Sequence, residues 1–304
     1  MHNVSRLTSA AVRYAPARLW YTLLVAAGLL LSPAAPRAQE DVRSPSPAVS
    51  SEAGPICAAH QPMLKVNDTL ERTAERLSTG APLTILAIGS STTAGVGASA
   101  PGAGYPLQLE RLVEAALPDT EVRMHVSGVG GETAAQTLVR LEQQLAIVQP
   151  DLVLWQVGTN DALADVHEDA FRQLVERGVA SVLATGADLV LIDQQFYPTI
   201  SRPARYERFV SIVDDVGTRM KACVFSRYGL MKTWALHAPG GLRPMLAADG
   251  FHMSDRGYAC LAGSLAREIM AAVRTPELAA GPGTRTASPP ASQILLTAGG
   301  ASGF

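Results

Sequence analysis

The sequence predicts an α/β fold, a three-layer α/β/α sandwich around a mainly parallel five-stranded sheet. Three observations predict it. Strand-length apolar runs alternate with helix-length amphipathic segments, and strands separated by helices require parallel crossovers. The runs are apolar at nearly every position, as strands covered on both faces should be. Polar, chemistry-bearing segments follow directly after these runs, at the strand ends where open α/β sheets bind ligands.

The first strand is Leu83-Thr84-Ile85-Leu86-Ala87-Ile88, closed by Gly89. Residues 105–117 then read as a helix, with apolar side chains at 107, 109, 112, 113, 116 and 117 and Pro106 in the first turn. Glu121 to Val126 is the second strand. Ala134 to Val148 is a helix, its Leu138, Leu141, Leu145 and Val148 spaced by three or four residues and stopped by Pro150. Leu152–Val157 and Asp188–Asp193 are the third and fourth strands, and Cys223–Phe225 is a weak fifth. Helices fit residues 170–183, 205–221 and, closing the domain, 258–273. No internal repeat is visible.

The flanks differ in composition. Arg6, Arg13 and Arg18 precede the apolar run from Leu19 to Leu31, followed by small residues and prolines. The run falls short of the roughly 20 residues that span a bilayer, so residues 1–38 read as a signal peptide cleaved after Ala34 or Ala38. An uncleaved membrane anchor is the alternative. Residues 39–56 and 275–304 are rich in Pro, Ser, Gly and Ala and read as a disordered spacer and a disordered tail. The compact domain is then residues 57–274, and the expected location is exported, periplasmic or secreted.

At 304 residues and 47% hydrophobic, the chain can build one sizeable core. Removing residues 1–38 takes four arginines from the 25 basic residues and none of the 27 acidic ones, leaving a formal charge of −6. Such a chain has no basic patch for nucleic acid or an anionic membrane surface. Cys57, Cys223 and Cys260 lack the spacing of a zinc or dithiol site. In an exported chain, a Cys57–Cys260 bridge would tie the terminal elements together, with Cys223 buried and free. Three unpaired thiols are the alternative.

Four segments carry the chemistry. Ser91, in Gly89-Ser90-Ser91-Thr92, follows the first strand, where a hydroxyl faces the open sheet edge. Gly128, Gly130 and Gly131 follow the second strand, where the missing Cβ lets a backbone N–H approach a reacting oxygen. Asn160, in Gly158-Thr159-Asn160-Asp161, offers an uncharged donor after the third strand. Asp249-Gly250-Phe251-His252 lets a carboxylate hold its own neighbouring imidazole. Each has an ordinary reading too: a serine-rich cap, a strand-to-helix turn, an Asx turn, a loop with a surface histidine. Asp161 reads as a turn cap rather than a chemical group. The Gly-x-Gly-x-x-Gly pattern of dinucleotide sites is not completed, since Thr133 stands in the last position. His2, His60, His125, His167 and His237 have no comparable setting.

The order Ser, Gly, Asn, Asp-x-x-His resembles that of the SGNH hydrolases, also called the GDSL esterase/lipase family, over about residues 82–272. The resemblance implies a flavodoxin-like sheet, Ser91 as nucleophile, His252 as base and Asp249 as its orienter. It implies an oxyanion hole from the Ser91 and Gly131 N–H groups and the Asn160 side chain, with no metal and no organic cofactor. Gly131 matches better than Gly128 because it directly precedes the acidic-Thr pair Glu132-Thr133. One departure is Ser90, where the family usually has Asp. No Gly-x-Ser-x-Gly elbow is present, which argues against the α/β-hydrolase fold.

The expectation is an exported, monomeric serine esterase acting on a small-molecule or glycan acyl ester. Thr92, Thr93, Tyr105, Gln194, Gln195, Tyr197 and Trp234 are candidates to line its site, with packing or a surface loop as the ordinary reading of each. Two alternatives remain at this point: an acyltransferase or deacetylase working on glycan O-acyl groups, and a non-catalytic glycan-binding module on the same fold.

Overall fold

The computed structural model describes Cys57 and residues 61–274. The expected signal peptide, the spacer and the C-terminal tail lie outside the described residues. Within them, six strands form one sheet: β1 (Leu64–Lys65), β2 (Leu83–Gly89), β3 (Val122–Gly128), β4 (Leu152–Gln156), β5 (Asp188–Ile192) and β6 (Cys223–Phe225). Their spatial order is β1-β6-β5-β4-β2-β3, and every pairing except β1–β6 is parallel.

The sheet therefore has one strand more than the five expected. The extra one, β1, is a two-residue antiparallel edge strand, too short to show any periodicity in sequence. It is held from outside: the Met63 and Leu64 N–H groups donate to Glu268 at 2.7 and 2.6 Å.

Alternation along each strand sorts its side chains to two faces. Ile85, Ala87, Leu152, Leu154, Val190 and Ile192 meet one hydrophobic cluster; Leu86, Ile88, Val153, Trp155, Leu189 and Leu191 meet the other. The first face is covered by α1 (Glu71–Thr79), α3 (Tyr105–Ala116), α8 (Arg227–His237) and α9 (Asp255–Arg274). The second is covered by α4 (Ala134–Val148), α6 (Glu168–Leu183) and α7 (Pro203–Met220). Two short helices, α2 (Ser91–Ala94) and α5 (Thr159–Leu163), leave the ends of β2 and β4. All three layers of the expected sandwich are present.

Cys57 and Cys260 form a disulfide with their Cα atoms 5.1 Å apart, and Cys223 is free and buried. Both match the sequence expectation. The bridge fixes Cys57, ahead of the first strand, to the second turn of the last helix.

Candidate active site

Strands β2 and β3 pair in register from Leu83 opposite Val122 to Gly89 opposite Gly128. The turns that leave them thus start side by side, and the Val129 N–H donates to the Gly89 carbonyl at 3.1 Å. Gly128 is required at this junction: a Cβ there would sit 2.2 Å from the Ala94 nitrogen and 2.6 Å from its Cα.

Ser91 is the first residue of α2 and half-buried. The residue before it, Ser90, is buried, and both its N–H and its hydroxyl donate to Gln156 Oε1, at 2.9 and 3.2 Å. This pair, joining the end of β2 to the end of β4, is what the fold has where the family's usual Asp would stand. A neutral serine and glutamine satisfy each other there without burying a carboxylate.

The glycine segment ends in Gly131, whose φ of +81° lies in the left-handed region that glycine tolerates. Thr133 then caps α4, its N–H and hydroxyl both donating to Gln136 Oε1 at 3.0 and 3.1 Å. Between them Glu132 is clamped by Arg140, which pairs with its carboxylate and also donates to the Ser127 and Gly89 carbonyls at 2.5 and 3.0 Å. One guanidinium thereby joins the ends of β2 and β3 to the loop that carries Gly131.

Asn160 lies in the first turn of α5 and donates from Nδ2 to the Glu132 carbonyl at 2.7 Å. Its neighbour Asp161 is buried, and both its oxygens accept from the Ala134 N–H at 2.9 and 3.0 Å. This corrects the sequence expectation in detail: Asp161 does cap, but it caps α4, twenty-seven residues away in the chain. Burial raises its carboxyl to about 6, against the lowering effect of the Ala134 hydrogen bond.

His252 faces its own carboxylate as the spacing suggests. Nδ1 lies 2.6 Å from Asp249 Oδ2, while Asp249 Oδ1 accepts from the Phe251 and His252 N–H groups at 3.0 and 2.9 Å. Partial burial pushes the Asp249 carboxyl up, but these hydrogen bonds from the His252 ring and the two backbone groups outweigh it and hold the carboxyl below its usual range.

Three ties bring the histidine loop to the serine segment. Gly97, just past α2, lies so close that a Cβ there would be 2.9 Å from His252 Cβ and 2.5 Å from the Met253 carbonyl. Tyr258 donates its hydroxyl to the Val96 carbonyl at 2.7 Å. Thr92 donates to Gln195 Oε1 at 3.4 Å, and Gln195 Nε2 donates to the Phe251 carbonyl at 3.0 Å. The structure thus brings the Ser91, Gly131, Asn160 and Asp249/His252 segments to one end of the sheet.

The expected lining residues sit differently. Thr92, Thr93, Tyr105, Gln194, Gln195, Tyr197 and Trp234 are all buried, so they pack within the fold rather than face a substrate. Trp234 belongs to the cluster under α8 and α9. Arg227, absent from the sequence-based list, proves to be fully buried and bonded to both Thr92 and Thr159. A groove of about 380 Å³ runs beside the histidine loop, lined by Pro198, Thr199, Arg243, Leu246, Ala247, Ala248 and Gly250. Among the described residues no group of three or more His, Cys, Asp or Glu could hold a metal ion.

A family model described as the non-GDSL lipase-like family matches residues 56–275. The chain is 27% identical over 169 residues to the esterase TesA of Pseudomonas aeruginosa, a match covering 56% of this chain and 79% of that one. It is 26% identical over 106 residues to an arylesterase of Vibrio mimicus, covering 33% of this chain and 53%, about half, of the relative. The crystal structure of a lipase/acylhydrolase from Enterococcus faecalis superposes with a TM-score of 0.52 at 28% identity, over 62% of this chain and 96% of that one.

Proposed function

The chain belongs to the non-GDSL lipase-like family of SGNH hydrolases, and on that footing we propose that it hydrolyses acyl esters through an acyl-enzyme on Ser91. The observation that carries the reading is the His252–Asp249 pair, with Nδ1 2.6 Å from the carboxylate. That contact fixes the tautomer with the proton on Nδ1 and leaves Nε2 as the base.

Ser91 Oγ attacks the ester carbonyl as His252 Nε2 takes its proton. Asp249, kept ionised by its three hydrogen bonds, balances the imidazolium. Negative charge on the carbonyl oxygen meets the N–H groups of Ser91 and Gly131 and the second N–H of the Asn160 amide, whose first is engaged by Glu132. The tetrahedral species collapses, His252 returns the proton to the leaving alcohol, and water repeats the sequence to release the acid.

The esterase and arylesterase relatives support an ester as substrate. The groove beside the histidine loop is open to an acyl chain or to an alcohol half such as a glycan. Export belongs to the same reading, because disulfides persist in oxidising compartments and are rare in the cytosol. We take the working unit to be a monomer with no nucleic-acid partner.

A fluorophosphonate probe tests the reading. Peptide mapping should find it on Ser91, and Ser91→Ala should lose both the label and turnover of p-nitrophenyl esters with its fold unchanged. His252→Ala should be nearly as inactive. A Ser91→Ala preparation free of contaminating esterase that keeps wild-type turnover would overturn the assignment.

A further inference from the structure

Arg227 is the first residue of α8, which follows β6, and belongs to none of the four segments that carry the ester chemistry. Its side chain is wholly buried. Nη1 donates to Thr92 Oγ1 at 2.6 Å, Nη2 to Thr159 Oγ1 at 3.3 Å and Nε to the Asp193 carbonyl at 3.1 Å. Thr92 directly follows Ser91, and Thr159 directly precedes Asn160. One rigid, planar cation therefore spans the nucleophile segment, the oxyanion-amide segment and the end of β5.

None of these acceptors is a carboxylate. The Asp193 carboxylate is not hydrogen-bonded to the guanidinium; it accepts from the Tyr228 N–H at 2.8 Å and the Ser226 hydroxyl at 2.9 Å. Burial raises the Asp193 carboxyl, against those hydrogen bonds and the nearby Arg227 charge. Burial likewise pushes the Arg227 guanidinium down, with the Tyr206, Asp193, Tyr105 and Tyr258 groups acting to hold it up. A buried cation held by neutral acceptors costs folding free energy that an apolar side chain of similar volume would not. The arrangement makes sense where a negative charge forms nearby during turnover.

We propose that Arg227 is a positioning residue for the reaction at Ser91. It fixes Ser91 and Asn160 in one register through Thr92 and Thr159, and it sets a permanent positive charge one residue away from each. The inference rests on the acyl-enzyme reading, because only a developing oxyanion gives that charge a catalytic use. A displacement of about 1 Å at a reacting group can cost about 10²-fold in rate. Lysine would supply the charge but not the three-way fork.

The experiment compares wild type with Arg227→Met, Arg227→Lys, Thr92→Val and Thr92→Ser on p-nitrophenyl acetate, each normalised to sites that a fluorophosphonate labels. Affinity for phenylboronic acid, which forms a tetrahedral anion on the serine, is measured alongside. Arg227→Met should lose about 10–100-fold in kcat per labelled site, with KM within about twofold and boronate affinity falling in parallel. Arg227→Lys should recover part of the loss. Thr92→Val should reproduce a lesser version of it, and Thr92→Ser, which keeps the hydroxyl, should restore it. If Arg227→Met fails to fold, the Thr92 pair decides alone, and equal kcat in Thr92→Val and Thr92→Ser overturns the proposal. So does wild-type kcat per labelled site in Arg227→Met. The acyl-enzyme reading fails separately, through a wild-type enzyme that is not labelled at Ser91.

Discussion

The Asn160 side-chain amide donates to the Glu132 carbonyl oxygen at 2.7 Å. One hydrogen of that amide is thus engaged with the segment beside Gly131, and the proposed oxyanion role falls to the other. Asn160→Ala should lower kcat by about 10²–10³, since it removes one oxyanion donor and loosens another. Asn160→Asp should do at least as badly, because its carboxylate would face the Glu132 carbonyl with no proton to share. Steady-state kinetics on circular-dichroism-checked variants decide. A loss under about tenfold for Asn160→Ala would remove it from the oxyanion role.

Gly97 is the spacer between the serine segment and the histidine loop. Its φ is +93°, and an added Cβ would meet the Met253 carbonyl at 2.5 Å. Gly97→Ala should therefore cost about 2 kcal/mol or more, as backbone strain adds to a clash with main-chain atoms. Turnover should fall by about 10²-fold as His252 is displaced. Urea denaturation and kinetics together check this; an alanine variant equal to wild type in both would show that the loops do not touch as described.

The four candidate segments were legible in sequence because the first three follow strands β2, β3 and β4 and each carries an unusual local composition. Asp249 and His252 are three residues apart, so their contact is local. The Cys57–Cys260 bridge followed from the proximity of terminal elements. What stayed hidden was long-range. Nothing near Arg227 marks it: α8, which it opens, was not expected from the sequence, and its three acceptors come from three other segments. Asp161 looked like a local turn cap because its true partner, the Ala134 N–H, belongs to another element. Seven polar and aromatic residues were candidates for the site's wall or for packing, and the fold buries all of them; sequence alone does not distinguish the face of a loop that meets substrate from the face that meets the core. Strand β1 escaped because two residues carry no period.

Asp161 makes a pH prediction. Its carboxyl is raised from 3.8 to about 6, so between those values the folded chain keeps a proton that the unfolded chain has lost. Its contribution to stability is therefore greatest at low pH and declines as pH rises through that window. Asp161→Asn keeps an acceptor for the Ala134 N–H without the buried charge, and should gain stability relative to wild type as pH rises from about 4 to 6. Asp161→Ala loses the acceptor, should be weaker by about 1 kcal/mol, and should turn over more slowly because the loop ahead of Ala134 is released. Denaturation midpoints measured against pH test both. A difference between Asn variant and wild type that shrinks with rising pH would refute the assignment.

The Cys57–Cys260 bridge should contribute about 2–4 kcal/mol. Adding a thiol reductant, or Cys57→Ala, should lower the melting temperature, while Cys223→Ala should leave the non-reduced peptide map unchanged. A map in which Cys57 is found unpaired would contradict the structure.

That bridge also closes a covalent ring. Ser91, Gly131, Asn160, Asp249 and His252 all lie between Cys57 and Cys260. A protease that cuts a surface loop between Ser91 and His252, such as the one around Pro198 and Thr199, opens it without dividing the molecule. Both pieces stay joined through sulfur, with Ser91 on one and His252 on the other, free to re-dock at the effective concentration of a single chain. Once the disulfide is reduced, the same nick turns an intramolecular partnership into a bimolecular one.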